Sequence, residues 1–252
     1  MAPLRRIHIS RAQLGLAHDS RVALSPEQSR YLVSVLRMSA GDPLEVFDGE
    51  GERFSARLAL DEHGNTGLQL GEKIETAKGA RTLEVTLAQA LAKADKLELV
   101  IQKATELGCT RIIPFAAERC VVKLDEDRGQ AKLLRWRKIA EEAARQCGRA
   151  DVPQLDAPVR WDDLFARLER EPALRAIALD PLATSLRLGE ASRGAEKILL
   201  AVGPEGGFSP EELLRAEQHG FVRASLGQLI LRTETAGLAA LAVVQHLAGQ
   251  LG

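Results

Sequence analysis

The chain has 252 residues, with 34 Lys and Arg against 35 Asp and Glu, and a formal net charge of −1. That length gives one large or two modest domains room for proper cores, and near-neutrality excludes a polyanion binder that works through a whole-surface basic field. Three cysteines, Cys109, Cys120 and Cys147, form no CxxC, which excludes a disulfide framework or thiolate zinc site and points to a reducing compartment.

The opening Met1-Ala2-Pro3-Leu4-Arg5-Arg6 lacks the apolar stretch of a secretion signal, so the expected location is cytoplasmic. Charge is unevenly spread. Residues 1–40 carry six Arg against Asp19 and Glu27, residues 41–75 three basic and nine acidic side chains, and residues 93–149 thirteen basic and nine acidic. Two basic regions around an acidic one leave room for a local nucleic-acid footprint. A helix is predicted from Pro26 to about Met38. Strands follow at Leu44–Phe47, Arg53–Leu60 and Leu68–Leu70, separated by the turn signals Asp48-Gly49-Glu50-Gly51 and Asp61–Gly67. Short strands of this kind suggest a small β-barrel over residues 1–75, with Thr76–Arg81 as the linker.

From Leu83 the pattern becomes alternating strands and helices, which implies an α/β domain over residues 76–252 with a mostly parallel sheet. Leu83–Ala88 reads as strand, Lys96–Leu107 as helix closed by Gly108, and Arg111–Phe115 as strand. Asp125–Gln146 is a long helix with Leu133, Trp136, Ala140, Ala143 and Ala144 on one face. Trp161–Glu169 is a further helix and Ala176–Leu179 a strand; both tryptophans are expected in the core. The apolar stretch Thr235–Leu251 contains Gln245, His246 and Gln250 and is too short and polar to span a bilayer.

Near the end, Lys197–Val202 reads as a buried strand, and Ser209, Pro210 and Glu212 as the N-cap, first position and capping-box acid of a helix. Between them lies Gly203-Pro204-Glu205-Gly206-Gly207, whose glycines expose backbone groups and allow a ligand close. The loop is no phosphate cradle: it lacks the Lys-Ser/Thr of a P-loop and a GxGxxG, and Glu205 would repel phosphate. A neutral or cationic ligand suits it. A tight turn without a ligand is the plainer alternative.

A second segment, Ser225-Leu226-Gly227-Gln228-Leu229-Ile230-Leu231-Arg232-Thr233-Glu234-Thr235-Ala236, follows the strand-like Phe221–Ala224 and precedes a small-residue helix over 237–251. With the GPEGG loop it closely resembles the ribosomal RNA small subunit methyltransferase E family of SPOUT methyltransferases. The resemblance extends through Ile101–Gly108, Glu142–Arg149, Val35-Leu36-Arg37 and Gly41-Asp42. It departs where Gln228-Leu229 replaces a common Pro-Arg, Cys147 a usual Ser, and Arg30-Tyr31 a frequent His.

The resemblance implies a PUA-like RNA-binding domain, then a SPOUT domain with a C-terminal trefoil knot, which pattern alone would reject. It implies S-adenosyl-L-methionine as cofactor, bound by Gly203, Pro204, Glu205, Gly206, Gly207, Leu226, Gly227, Ile230 and Leu231, with no metal. The acceptor it implies is N3 of a uridine in 16S rRNA at the decoding centre. Arg232 is the candidate to stabilise charge on the uracil oxygens and Glu234 the candidate proton acceptor; a first-turn acid favoured by the helix dipole is the plainer role for Glu234. Arg5, Arg6, Arg37, Lys93, Lys103, Arg145 and Arg149 are expected on RNA phosphates. A homodimer packed through the last helix is implied, and no membrane partner. Ribose 2′-O-methylation and a non-catalytic assembly factor remain as alternatives.

Overall fold

The computed structural model describes residues 5–61, 64–75, 83–92, 94–120 and 126–251. The expected linker over 76–81 and Lys93 lie outside them. Contacts divide the chain into two units: 1–79 with 144–152, and 80–143 with 153–252.

In the first unit, β1 (Arg6–His8), α1 (Arg11–Leu14), β2 (Arg21–Ala23) and α2 (Pro26–Arg30) lead to β3 (Pro43–Phe47), β4 (Arg53–Leu60) and β5 (Thr66–Lys73). The strands form one sheet in the order β1-β3-β4-β5-β2, with β1 parallel to β3 and the other pairs antiparallel. Among the described residues no β1–β2 ladder closes the sheet into a barrel. Alternate apolar residues (Ile7, Val22, Leu44, Val46, Ala56, Leu58, Leu68) face one core with Ile9, Leu32 and Met38. The predicted β3–β4 hairpin forms, its turn fixed by Asp48 Oδ1 accepting from the N–H groups of Glu50 (2.8 Å) and Glu52 (2.9 Å).

The helix predicted over 26–38 is α-helical only to Arg30. Tyr31–Val35 continues as a π-turn, in which the Leu36 N–H donates to the Tyr31 carbonyl five residues back (2.9 Å). Widening the turn buries Leu32, and Arg37 leaves it in the left-handed region at φ 52°.

The second unit begins with β6 (Glu84–Ala90), α3 (Ala94–Glu106) and β7 (Arg111–Ala116). Helix α4 (Glu126–Cys147) follows, its last residues grouping with the first unit. Then come β8 (Gln154–Leu155), β9 (Val159–Arg160), a 3-10 turn at Trp161–Leu164, α5 (Phe165–Arg170), β10 (Leu174–Leu179), α6 (Leu188–Ala191), β11 (Lys197–Val202), α7 (Pro210–Gln218), β12 (Val222–Ala224) and α8 (Thr233–Leu247). The sheet order is β12-β10-β11-β6-β7-β8, β9 also pairs with β7, and every pairing is parallel. The last helix starts at Thr233 rather than 237, because Thr233 is buried and hydrogen-bonded rather than part of the loop.

Residues alternate between the faces of this sheet. Ala88, Ala90, Ile113, Phe115, Ala178, Leu199 and Ala201 pack on Trp161, Phe165, Phe208 and Phe221, while α8 covers the opposite face of β6 and β11. The Trp161 ring lies 4.6 Å from Phe208 and 5.1 Å from Phe115. Trp136 is buried as expected. No helix among the described residues is long and apolar enough to cross a membrane.

Candidate active site

In the second unit the chain runs outward from β6 through β7 in one direction and reaches β11 on the other side of β6. Parallel sheets place ligands at the carboxyl ends of strands beside such a reversal. A cavity of about 580 Å³ lies there, walled by the segments that follow β10, β11 and β12.

All nine residues expected to hold a cofactor line it: Gly203, Pro204, Glu205, Gly206 and Gly207 from the first loop, and Leu226, Gly227, Ile230 and Leu231 from the second. The apolar wall is unusually open. Leu182, Leu229 and Ile230 are 77%, 80% and 82% exposed, too much apolar surface for a wall with nothing against it.

The GPEGG loop is shaped by three local causes. A Cβ on Gly203 would stand 3.1 Å from the Phe208 ring and 3.3 Å from its backbone nitrogen, so a side chain there displaces the loop. Gly207 adopts φ 68°, and its N–H closes a turn on the Pro204 carbonyl (2.8 Å). Arg119 Nη1 donates to the Gly206 carbonyl at 3.1 Å.

Past the loop the predicted capping box is present. Ser209 Oγ accepts from the Glu212 N–H (3.2 Å), and Glu212 Oε2 accepts from the Ser209 N–H (2.9 Å). Glu212 Oε1 also accepts from the Glu118 N–H (2.8 Å), tying the segment after β7 to α7. Ser209→Ala is expected to lower unfolding stability by about 1 kcal/mol, readable in urea titrations. A loss below a few tenths would show that Glu212 alone holds the helix start.

The second loop is fastened from beneath. Thr233 Oγ1 donates to the Gly203 carbonyl at 2.6 Å, and the buried Gln89 of β6 donates from Nε2 to Thr233 Oγ1 at 2.9 Å. At the cavity wall, Lys96 Nζ lies 3.0 Å from Glu205 Oε1 and 3.4 Å from Glu234 Oε2. The hydrogen bond that Lys96 donates to Glu205 is the largest influence on its ammonium and raises its pKa. Arg232 lines the cavity, exposed, at the N-cap of α8, with no side-chain capping bond. The Glu234 side chain is largely buried and is not part of the cavity lining.

Lys96, Arg119, Gln89, Asp180 and Thr233 escaped the sequence reading. Two carried a signal: a lysine in the first turn of a helix opposes the helix dipole, and Gln89 interrupts the apolar run Leu87-Ala88-Gln89-Ala90. Asp180 is held by Arg223 (Nε 3.0 Å) and accepts from the Leu182 N–H (2.9 Å).

The residues expected on RNA are differently placed. In the first unit, Arg6 is mostly buried; its Nε lies 2.7 Å from Glu45 Oε1, and Nη2 donates to the Arg149 carbonyl (2.9 Å). Arg149 pairs with Asp151 at 2.7 Å. Arg145 stacks over the Tyr31 ring, 4.3 Å from its centroid, and donates to the Tyr31 hydroxyl; burial, then the Arg6 charge, lowers its pKa. Arg5 and Arg37 are exposed. In the second unit, Lys103 pairs with Glu106 on the surface of α3. Among the described residues no group of three or more His, Cys, Asp or Glu is arranged to hold a metal ion.

Residues 80–245 match the model of an RNA methyltransferase domain, and residues 24–63 that of an RNA methyltransferase PUA domain. Over 256 residues the chain is 32% identical to ribosomal RNA small subunit methyltransferase E of Bacillus subtilis, covering 96% of each. The chain belongs to the ribosomal RNA small subunit methyltransferase E family. The family member of Synechocystis is 36% identical over 232 residues, 91% of this chain and 74% of its own. Among solved structures, the family member of Neisseria gonorrhoeae, crystallised with S-adenosyl methionine, shares 30% identity at a TM-score of 0.85, covering 97% of this chain and 98% of its own. A Legionella pneumophila protein in complex with the same cofactor shares 33% identity at a TM-score of 0.85, over 97% and 98% of the two chains. The family thus accounts for both signature loops meeting in one cavity.

Proposed function

We propose that this chain is an S-adenosyl-L-methionine-dependent methyltransferase acting on N3 of a uridine in 16S rRNA, at the decoding centre of the small ribosomal subunit. The observation that carries the reading is the single cavity at the strand ends, walled by both signature loops. Its residues fit the cofactor. Exposed Leu229 and Ile230, with Leu226 and Leu231, suit an adenine; the glycine loop offers backbone rather than side chains; and Glu205 suits a ligand with positive charge. When bound, the cofactor supplies an electrophilic methyl group, whose bond to sulfur breaks as the acceptor's electron pair forms the new C–N bond.

The chain itself must hold the acceptor in line and manage its proton. Arg232, at the end of the apolar wall, stabilises negative charge on the uracil oxygens as N3–H is lost. Glu234 is the carboxylate assigned to take that proton; it lies outside the cavity lining with Oε2 3.4 Å from Lys96 Nζ, and would act through Lys96 or water. The enzyme is read as cytoplasmic and homodimeric, without metal. Residues 1–75 would be a PUA-like RNA-binding domain and 76–252 the methyltransferase domain. A trefoil knot is the path proposed for 225–247: the chain leaves β12 at the sheet edge beyond β10 and returns as α8 over β11 and β6, as such a crossing requires.

Mass spectrometry of nucleosides from 16S rRNA or small subunits incubated with the protein and labelled cofactor tests the reaction. Labelled 3-methyluridine is expected. A 2′-O-methyl nucleoside, or no label, overturns it.

Arg37 is the strongest proposed phosphate contact. An exposed arginine held at φ 52° is a strained position of the kind retained where function needs it. Arg37→Ala is expected to weaken RNA binding and reduce the log–log salt slope by about 0.7–0.9 for the one lost contact. A slope equal to wild type places Arg37 away from phosphate.

A further inference from the structure

Three cations, Lys96, Arg119 and Arg232, line the cavity with two carboxylates, Asp180 and Glu205. Both carboxylates have cationic partners: Asp180 meets Arg223, from outside the lining, at 2.5 Å, and Glu205 meets Lys96 at 3.0 Å. Arg119 and Arg232 are exposed and meet no carboxylate within ion-pair distance among the described residues. In the proposed reaction Arg232 serves the uracil, which leaves Arg119. Its backbone sits in a turn closed by the Cys120 N–H on the Ala117 carbonyl (3.1 Å), and the preceding Glu118 N–H donates to Glu212 Oε1 (2.8 Å). Its stem lies along Gly206, where an added Cβ would stand 3.3 Å from Arg119 Cβ and 3.5 Å from Cδ. Nη1 then donates to the Gly206 carbonyl at 3.1 Å. Holding a long side chain at an exposed site costs rotamer entropy, which one bond to a carbonyl that water could serve offsets poorly. The rest of the guanidinium fork, fixed in place, suits two-point binding of an oxyanion.

We propose that Arg119 receives a backbone phosphate of the RNA nucleotide whose base enters the cavity. The inference rests on the reading that this cavity methylates a base in RNA. A base reacts only after leaving its stack, and it brings its own phosphates to the rim of the pocket it enters. Arg232, on the second loop, meets the base, and Arg119, on the GPEGG loop, meets the backbone. Two-point attachment fixes the orientation of the acceptor as well as its position. The carboxylate of the cofactor is the competing oxyanion; the exposure of Arg119 favours the phosphate, which arrives from the solvent side. Because the guanidinium is anchored to Gly206, the loop that holds the methyl donor also sets the place of the acceptor.

Two measurements on the full chain test this assignment. Arg119→Met keeps an apolar stem over Gly206 and removes the fork, whereas Arg119→Lys keeps a positive charge. Binding of 16S rRNA is titrated across a salt series. In Arg119→Met the log–log slope is expected to shrink by about 0.7–0.9, the loss of one phosphate contact, and in Arg119→Lys to stay at the wild-type value. Calorimetry with S-adenosyl-L-methionine and with its decarboxylated form then separates the two oxyanions. Arg119→Met is expected to weaken both ligands by one common factor, through the lost tie to Gly206, so the ratio of their Kd values stays at the wild-type value. Arg119→Gln repeats both measurements if the Met variant does not fold.

A wild-type slope in Arg119→Met overturns the proposal and leaves Arg119 as a prop for Gly206. A loss of affinity confined to the ligand that carries the carboxylate reassigns Arg119 to the cofactor and overturns it equally. Either result leaves the methyltransferase reading intact. A wild-type protein that binds neither ligand overturns the cofactor reading itself, and one that binds no 16S rRNA overturns the substrate reading. A reduced slope with an unmoved Kd ratio establishes Arg119 as the phosphate contact.

Discussion

Arg232→Ala is expected to slow single-turnover methylation about 10²–10³-fold, the usual effect of removing one preorganised donor from developing charge. Its backbone is secured independently of its side chain: the Arg232 carbonyl accepts from the Ala236 N–H at 2.8 Å, and the adjoining Thr233 is anchored to Gly203. The guanidinium is exposed at the cavity and supplies no helix cap, so truncation removes charge without loosening α8. Cofactor affinity measured by calorimetry should therefore stay within about twofold of wild type, since the interaction arises mainly as the uracil becomes anionic. A rate near wild type, or collapse of cofactor affinity, would assign Arg232 to the binding shell instead.

Phe208→Ala should produce the largest loss of stability of any change in the loop, about 3 kcal/mol or more. Its ring is stacked with Phe115 at 6.1 Å and tilted against Trp161 at 4.6 Å, and it also abuts Gly203. The same side chain is thus core to the sheet and floor to the cavity. Urea unfolding followed by tryptophan fluorescence reads the loss, with comparison at equal slope because two units need not unfold together. A change below about 1 kcal/mol would mean that the aromatic cluster closes over the gap, and that the loop draws its rigidity from Thr233 and Arg119.

The parallel sheet was legible because its strands are continuous apolar runs, and the loop termini because capping chemistry is local: Ser209, Pro210 and Glu212 declare a helix start within four residues. The two loops that wall the cavity were legible as motifs. What escaped were contacts between residues distant in sequence. Lys96 meets Glu205 across 109 positions and Gln89 meets Thr233 across 144, distances over which no periodicity carries information. In the first unit, β1 and β2 are only three residues long, below the length at which alternation can be seen. The π-turn after Arg30 is equally silent, since Tyr31–Val35 reads as ordinary helix. Arg6 looked like a surface cation because sequence cannot show that it satisfies the Arg149 carbonyl and Glu45.

The bond from Thr233 to the Gly203 carbonyl has a consequence for anyone wishing to transplant this pocket. The GPEGG loop is not a self-sufficient cassette. Its first carbonyl is already committed, and the hydroxyl that holds it is itself oriented by an amide rooted in the central strand β6, beside a glycine of α8 where a Cβ would collide with that amide at 2.8 Å. A designer moving residues 203–209 onto another parallel sheet would carry the recognisable letters and leave behind Gln89, Thr233 and Gly237, the scaffold that gives them their shape.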